Sequence, residues 1–170
     1  MKTICLALAL AFATLDARPS VLDVIDRLMA VVSGDPLTLS DVNAAVAFDL
    51  VTPPAGAADR TAAALDLLIE RRLMLMDVER YQPPEPAPES IDERLAAIRQ
   101  RLGSGYEPTL KATGMSDGQL RREIRDGLRI QIYLNQRFGG VDPAARPQLI
   151  SDWLAGLRRR TQIAVLYLPK

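Results

Sequence analysis

The chain has 170 residues, of which 48% are hydrophobic, and this is enough for one domain with a hydrophobic core. Its 21 Lys and Arg residues balance 21 Asp and Glu residues, so the overall charge does not favour nucleic acid as a partner. The sequence contains no histidine, which excludes a Ser-His-Asp triad, a Cys-His pair and a histidine-containing metal site.

The first 17 residues have the pattern of a secretory signal peptide. Lys2 precedes an apolar run over residues 4–13, which is shorter than the ~20 residues that usually span a membrane. Residues 11–13, Ala-Phe-Ala, have the small-x-small form of a cleavage site, and Ala17 is a less well matched alternative. The only cysteine is Cys5, so the cleaved chain contains no thiol, which suits an oxidising compartment. The other interpretation is an N-terminal helix that stays attached.

A β-hairpin is predicted after this segment. A β-branched run from about Val24 to Val32 meets a Gly-Asp-Pro turn, and Leu37–Leu39 reads as a short second strand. Ser40 or Asp41 is then the predicted N-cap of a first helix. This helix carries apolar residues at four-residue spacing and ends at a Pro-Pro-Ala-Gly sequence; the apolar positions are Val42, Val46 and Leu50.

The strongest helix prediction covers residues 57–81, which contain no Gly or Pro. One apolar stripe runs along this helix and consists of Leu65, Leu68, Ile69, Leu73 and Met76. A second set of apolar residues widens the stripe beyond a normal amphipathic face, and it consists of Leu67, Met74, Leu75 and Val78. A helix this apolar is a central core helix, or it lines a groove. The more specific alternative is a Met-rich groove for apolar ligands, because the flexible Met side chain adapts to partners of irregular shape.

Four more helices are predicted in the second half, after a Pro-rich spacer at 82–89. Capping boxes at Ser90 and Ser116 start two of them, and a short helix of about 107–112 lies between. Asp142-Pro143 is the predicted N-cap and first turn of the last helix. Its predicted core face consists of Leu149, Ile150, Trp153, Leu154 and Leu157.

Arginine is frequent on two of these helices. The helix after Ser116 has an arginine-rich side that is interpreted as a solvated face, with a docking site for acidic partners as the alternative. Residues 158–160, Arg-Arg-Arg, complement the dipole at the C-terminus of the last helix, with nucleic-acid binding as the alternative.

Residues 163–168 are predicted to form a final β-strand. A lone strand needs a partner, and the N-terminal hairpin is the only candidate in the sequence. The predicted fold class is therefore mainly α, with a small β-sheet made by the N-terminal hairpin and the C-terminal strand. Residues 21–170 form a single domain in this interpretation.

This pattern of paired ends with helices between them resembles the SurA-like periplasmic chaperones, which belong with the trigger-factor and parvulin-associated chaperone domains. The resemblance covers roughly residues 24–168. It is carried by segments in the same order as in that family: Asp26–Pro36, Leu37–Val42, Ala64–Leu75, Met115–Arg125 and Trp153–Arg158 followed by a strand.

One departure from the family is large. Members usually carry one or two parvulin-type prolyl isomerase domains between the long helix and the closing helix. Here only Gly139-Gly140-Val141 separates Phe138 from Asp142, and the histidine typical of a parvulin site is absent. The chain thus looks like the chaperone core without its isomerase, so prolyl isomerase activity is disfavoured.

The resemblance implies a periplasmic holdase-type chaperone without enzymatic activity and without a cofactor. Unfolded outer-membrane or other secreted proteins are the implied partners, with no nucleic acid and no stable membrane insertion after signal cleavage. The candidate peptide-contact residues, each of which could equally be core, are Phe48, Met74, Met76, Met115 and Tyr133. The alternative is an accessory subunit that uses the same fold to hold one dedicated partner of an envelope or export system.

Overall fold

The computed structural model describes residues 26–168 and shows a mainly helical fold with one small sheet. The predicted signal peptide and the first residues of the predicted opening strand, Val24 and Ile25, lie outside this range. The elements are β1 (Leu28–Val32), β2 (Asp35–Thr38), α1 (Leu39–Ala47), α2 (Arg60–Tyr81), α3 (Pro88–Leu102), α4 (Tyr106–Thr113), α5 (Asp117–Phe138), α6 (Arg146–Arg160) and β3 (Ile163–Val165). The predicted fold class is confirmed.

The sheet joins the two ends of the described chain. Its three strands are antiparallel in the order β2-β1-β3, with Ala30 opposite Val165. The hairpin turn is tighter than predicted, because Ser33 and Gly34 alone form it, both with positive φ (53° and 93°). Asp35 and Pro36, which were predicted in the turn, instead belong to β2. The prediction that the C-terminal strand pairs with the hairpin is confirmed.

Three predicted N-caps are wrong. The cap of α1 is Thr38 rather than Ser40 or Asp41, and Asp41 completes the capping box as its third helical residue. Ser90 lies inside α3, which begins at Pro88 without a side-chain cap. Asp142 closes a turn before α6, since its carboxylate accepts the N–H of Ala144 at 2.9 Å. The capping box at Ser116, in contrast, is confirmed.

Several element ends also differ from prediction. Helix α1 ends at Ala47, so Leu50 lies beyond it in a loop, and α2 begins at Arg60 with Asp59 as its cap. Strand β3 ends at Val165, although two more backbone N–H groups, those of residues 166 and 167, still donate to the carbonyl of Met29. The observed ends differ from the predicted ones because the geometry of caps and strands depends on neighbouring elements, which the local sequence pattern does not contain.

Helix α2 is the central element, packed on β1, α1, α5 and α6. Its buried residues include Leu65, Ile69 and Leu73, which face a first core cluster shared with the sheet, α1 and Leu157 of α6. A second cluster surrounds Phe48 and joins the end of α1 to α3, α4 and α5. A third lies between α2 and α5. The interpretation of residues 57–81 as a core helix is therefore correct for the face of α2 that carries Leu65, Ile69 and Leu73.

The predicted core face of α6 is too broad. Of its residues only Leu157 is buried, at 3% exposure, whereas Leu149 is 39% exposed. Trp153 and Leu154 are half-buried against the first cluster. None of the helices in residues 26–168 is both long enough and apolar enough to cross a membrane.

Candidate functional site

A groove of about 320 Å³ opens between α2, α5 and the loop that follows α1. Its apolar lining comes from all three elements: Leu50, Val51, Leu67, Met74, Ile124, Leu128 and Ile130. This volume is at the low end of the range of ligand sites, so the groove holds one or two side chains rather than a folded partner. The rest of its wall is formed by Gly127 and by polar residues, which are Asp49, Thr52, Glu70, Arg71, Arg94, Glu123 and Gln131.

Arg71 forms one wall of the groove and ties α2 to α5. Its side chain is 11% exposed, and its Nη2 lies 3.2 Å from Oε2 of Glu123. The same nitrogen donates to the backbone carbonyl of Glu123, and the buried Nε has no hydrogen-bond partner among the described residues. This guanidinium therefore fixes the spacing of the two helices at the groove.

Gly127 provides the space that Arg71 occupies. A Cβ atom at this position of α5 would lie 3.0 Å from Nη1 of Arg71 and 3.5 Å from its Nη2. The absence of a side chain lets the guanidinium lie against the backbone of α5. The width of the groove thus depends on this one glycine and this one arginine.

The charges around the groove nearly cancel. Three carboxylates and two guanidinium groups line it, those of Asp49, Glu70, Glu123, Arg71 and Arg94. A wall of this kind attracts neither a phosphate nor a polycation strongly. It suits an uncharged segment with an apolar side chain and polar backbone groups.

The five predicted contact residues are distributed over the molecule rather than gathered in one place. Met74 lines the groove and is half-buried, whereas Met76 is 38% exposed on α2 and is not part of the groove lining. Met115 is half-buried and lines a smaller pocket of about 80 Å³ that shares Arg71 with the groove. Phe48 (0% exposed) and Tyr133 (5% exposed) lie in the second and third core clusters. Only Met74 and Met115 therefore lie beside Arg71.

The prediction omitted several residues that line the groove. Leu67 belongs to the second apolar set of residues 57–81, so the extra width of that apolar face was a signal for it. Arg71 and Gln131 carry no such signal, because a polar residue on a helix is most often simply solvated. The sequence pattern places the loop residues Leu50 and Val51 in a helix or at its end.

A second arginine anchors the Pro-rich spacer. Arg129 of α5 is 6% exposed; its Nη1 donates to Oε1 of Glu79 at 2.7 Å, and its Nε lies 3.1 Å from Oε1 of Glu85. Glu79 belongs to the last turns of α2 and Glu85 to the spacer. The spacer is thus held against α5 by an ion pair to Arg129, the residue before Ile130 of the third cluster.

No protein-family model and no curated protein sequence matches this chain. Within residues 26–168, no group of three or more Asp, Glu, Cys or His side chains is placed to hold a metal ion.

Proposed function

We propose that the protein is a non-catalytic, holdase-type chaperone that binds apolar side chains of unfolded polypeptides in the groove between α2 and α5. The observation that carries the proposal is the groove itself, in which Leu67, Met74 and Leu128 form an apolar surface that the protein's own core does not fill. Met74 adds adaptability, since its flexible thioether fits side chains of different shape.

The size of the groove sets the strength of binding. One apolar side chain that buries on the order of 100 Å² gains roughly 2.5 kcal/mol at ~25 cal/mol per Å². This is a weak contact, so a client is retained by several such contacts and is released when it folds or is transferred. Weak binding removes the need for ATP, and the sequence contains no P-loop pattern.

We further propose a periplasmic setting with unfolded outer-membrane or secreted proteins as clients. This part rests on the signal-peptide pattern of residues 1–17 and on the resemblance to SurA-like chaperones. Chain ends that meet in one sheet around a helical body are compatible with that resemblance.

The test is aggregation of a chemically unfolded outer-membrane protein on dilution, followed by light scattering. The purified chain is expected to suppress scattering at near-stoichiometric ratios, and to do so for several unrelated clients. If the folded chain suppresses the aggregation of none of these clients, the proposal is contradicted. Suppression of one client alone points to an accessory subunit with a dedicated partner.

A pair of methionine variants localises the activity. Met74→Gln places a polar group in the groove, and we expect the concentration for half-suppression to rise about fivefold, as for a loss of roughly 1 kcal/mol. Met76→Gln is the matched control, because Met76 has the same chemistry on the same helix but lies outside the groove. Equal effects of the two variants would place binding elsewhere.

A further inference from the structure

Strand β3 presents an unpaired edge within the described part of the chain. It is the outer strand of the sheet, and its bonds to β1 run through alternate residues: Gln162 accepts from the N–H of Ser33 and Leu166 donates to Met29, both at 2.8 Å. In an antiparallel pair the residues between those positions turn their backbone groups the other way. The N–H and C=O groups of Ile163 and Val165 therefore point away from β1.

The opposite edge of the sheet is closed to pairing. The outward residues of β2 are Pro36, which has no N–H, and Thr38, whose N–H donates to the carboxylate of Asp41 at 2.8 Å. Asp35 of the same strand also carries a charge, 3.8 Å from Arg72. Proline, charge and an occupied donor are the devices that keep edge strands from pairing.

None of these devices occurs at the β3 edge. Residues 162–168 contain no proline and no charged side chain. Three apolar side chains of this segment are exposed to an unusual extent, with Val165 at 53%, Leu166 at 50% and Leu168 at 79%. The edge thus combines free backbone donors and acceptors with uncovered apolar side chains, and this combination is complementary to an extended polypeptide.

We propose that the β3 edge binds an extended, apolar segment of an unfolded polypeptide as an added fourth strand. The proposal rests on the proposed chaperone function and names the form in which a client is held. The backbone groups of Ile163 and Val165 supply hydrogen bonds that do not depend on the client's sequence, and the exposed side chains select apolar residues.

A second copy of the chain fits the edge less well. Strand β3 has three residues and spans on the order of 10 Å, since a strand rises ~3.3 Å per residue. A stable dimer usually buries at least ~1,200 Å² of surface, far more than so short a pairing covers. A short strand edge binds weakly, and weak binding is suited to a client that must be released.

The experiment is amide hydrogen exchange by NMR on the full chain, with a lysine-capped peptide of alternating valine and threonine as the probe. The amides of Ile163 and Val165 are expected to exchange at least about tenfold more slowly with saturating peptide, whereas the amide of Ala164, which faces β1, does not change. The same peptide with every second backbone nitrogen methylated on its pairing edge is expected to give no protection.

A variant pair tests the same edge from the protein side. Val165→Pro removes an outward N–H and is expected to weaken peptide binding about tenfold, while Val165→Thr keeps the N–H and the β-branched shape and is expected to bind as before. If Val165→Pro does not fold, the methylated peptide gives the same information with the unchanged protein.

Three results would overturn the proposal. Unchanged exchange at residues 163 and 165 with bound peptide would place the peptide elsewhere. Protection that grows with protein concentration alone, together with a doubled sedimenting mass, would identify a second copy as the occupant. Protection in the free monomer would mean that the edge is already covered. If aggregation is still suppressed in any of these cases, the edge proposal fails while the chaperone function stands.

Discussion

At the residue scale, one hydrogen-bonded group joins three helices. The phenol of Tyr106, buried at the start of α4, donates to Oδ1 of Asp117 in the first turn of α5, and Arg99 of α3 pairs with the same oxygen. The guanidinium of Arg99 also lies over the Tyr106 ring, 5.2 Å from its centre. These hydrogen bonds from Tyr106 and Arg99 lower the pKa of Asp117 below its ordinary value of 3.8.

This pKa shift predicts a pH-dependent contribution to stability. Because the folded pKa lies below the unfolded one, the stabilisation is complete above about pH 4 and is lost as the pH falls through the folded pKa. Asp117→Asn is expected to reduce the free energy of unfolding at pH 7 by about 1 to 2 kcal/mol, mainly through the Tyr106 hydrogen bond, since the ion pair is half exposed. Urea unfolding at pH 7 and pH 3 measures this, and the difference from the unchanged protein should shrink at pH 3.

The matched control is Asp92→Asn. Asp92 of α3 forms an exposed ion pair with Arg121, so its removal should cost less than about 0.5 kcal/mol at either pH. An equal loss in both variants, or a loss for Asp117→Asn that does not depend on pH, would contradict the assignment.

At the element scale, α6 contributes little fully buried apolar surface to the core. Among the residues of α6, all of which the structure describes, Leu157 is the only one that is buried. Trp153 adds a hydrogen bond from its Nε1 to Oδ2 of the buried Asp77 at 3.2 Å, and Arg160 lies 3.7 Å from the same oxygen. The closing helix is therefore fixed to α2 by one buried leucine, by the half-buried Trp153 and Leu154, by this polar cluster, and by ion pairs from Arg158 to Asp66 and Glu70.

Leu157→Ala is accordingly expected to destabilise the protein strongly, by about 2 to 4 kcal/mol, because it opens a cavity in the first core cluster. Leu149→Ala, on the same helix at 39% exposure, is expected to cost about 0.5 kcal/mol or less. Urea unfolding of both variants measures the difference. Similar losses would mean that α6 uses the broad apolar face that its sequence predicts.

The helix starts show which N-caps the local sequence reveals and which depend on tertiary structure. Ser116 was predictable as a cap because a Gln follows three residues later and Gly114 ends the preceding helix just before it. Ser90 has the same spacing, but Pro88 already begins α3 two residues earlier. At α1, Thr38, Ser40 and Asp41 all have capping side chains, and the pairing of β2 with β1 decides in favour of Thr38 by keeping its backbone extended. Pairing between strands is a tertiary effect that local spacing cannot reveal.

At the scale of the whole molecule, the two ends of the described chain close one sheet over α2. This was predictable, because a short apolar strand at the C-terminus needs a partner and only the hairpin could supply one. The closure is reinforced by side chains, since the hydroxyl of Tyr167 donates to the cap residue Asp59 at 2.8 Å and Arg27 lies 5.4 Å from the centre of its ring.

The groove was not predictable from the sequence in the same way. It depends on Arg71 of α2 lying against Gly127 of α5, two residues far apart in the chain whose proximity follows from packing. An apolar residue on a helix has the same pattern whether it lines a groove, as Met74 does, or fills a core, as Phe48 and Tyr133 do. The sequence therefore identified a Met-rich helix but not which of its residues remain accessible.

The most direct measurement is site-specific photo-crosslinking to an unfolded outer-membrane protein from two glutamines of α5. Gln131 lines the groove, while Gln136 is also exposed on the same helix but is not part of the lining, and neither replacement removes a core residue. With a benzophenone side chain at each position in turn, we expect client adducts from position 131 and only background from position 136. Equal labelling at both positions, or labelling from position 136 alone, would contradict the assignment of the groove as the client-binding site.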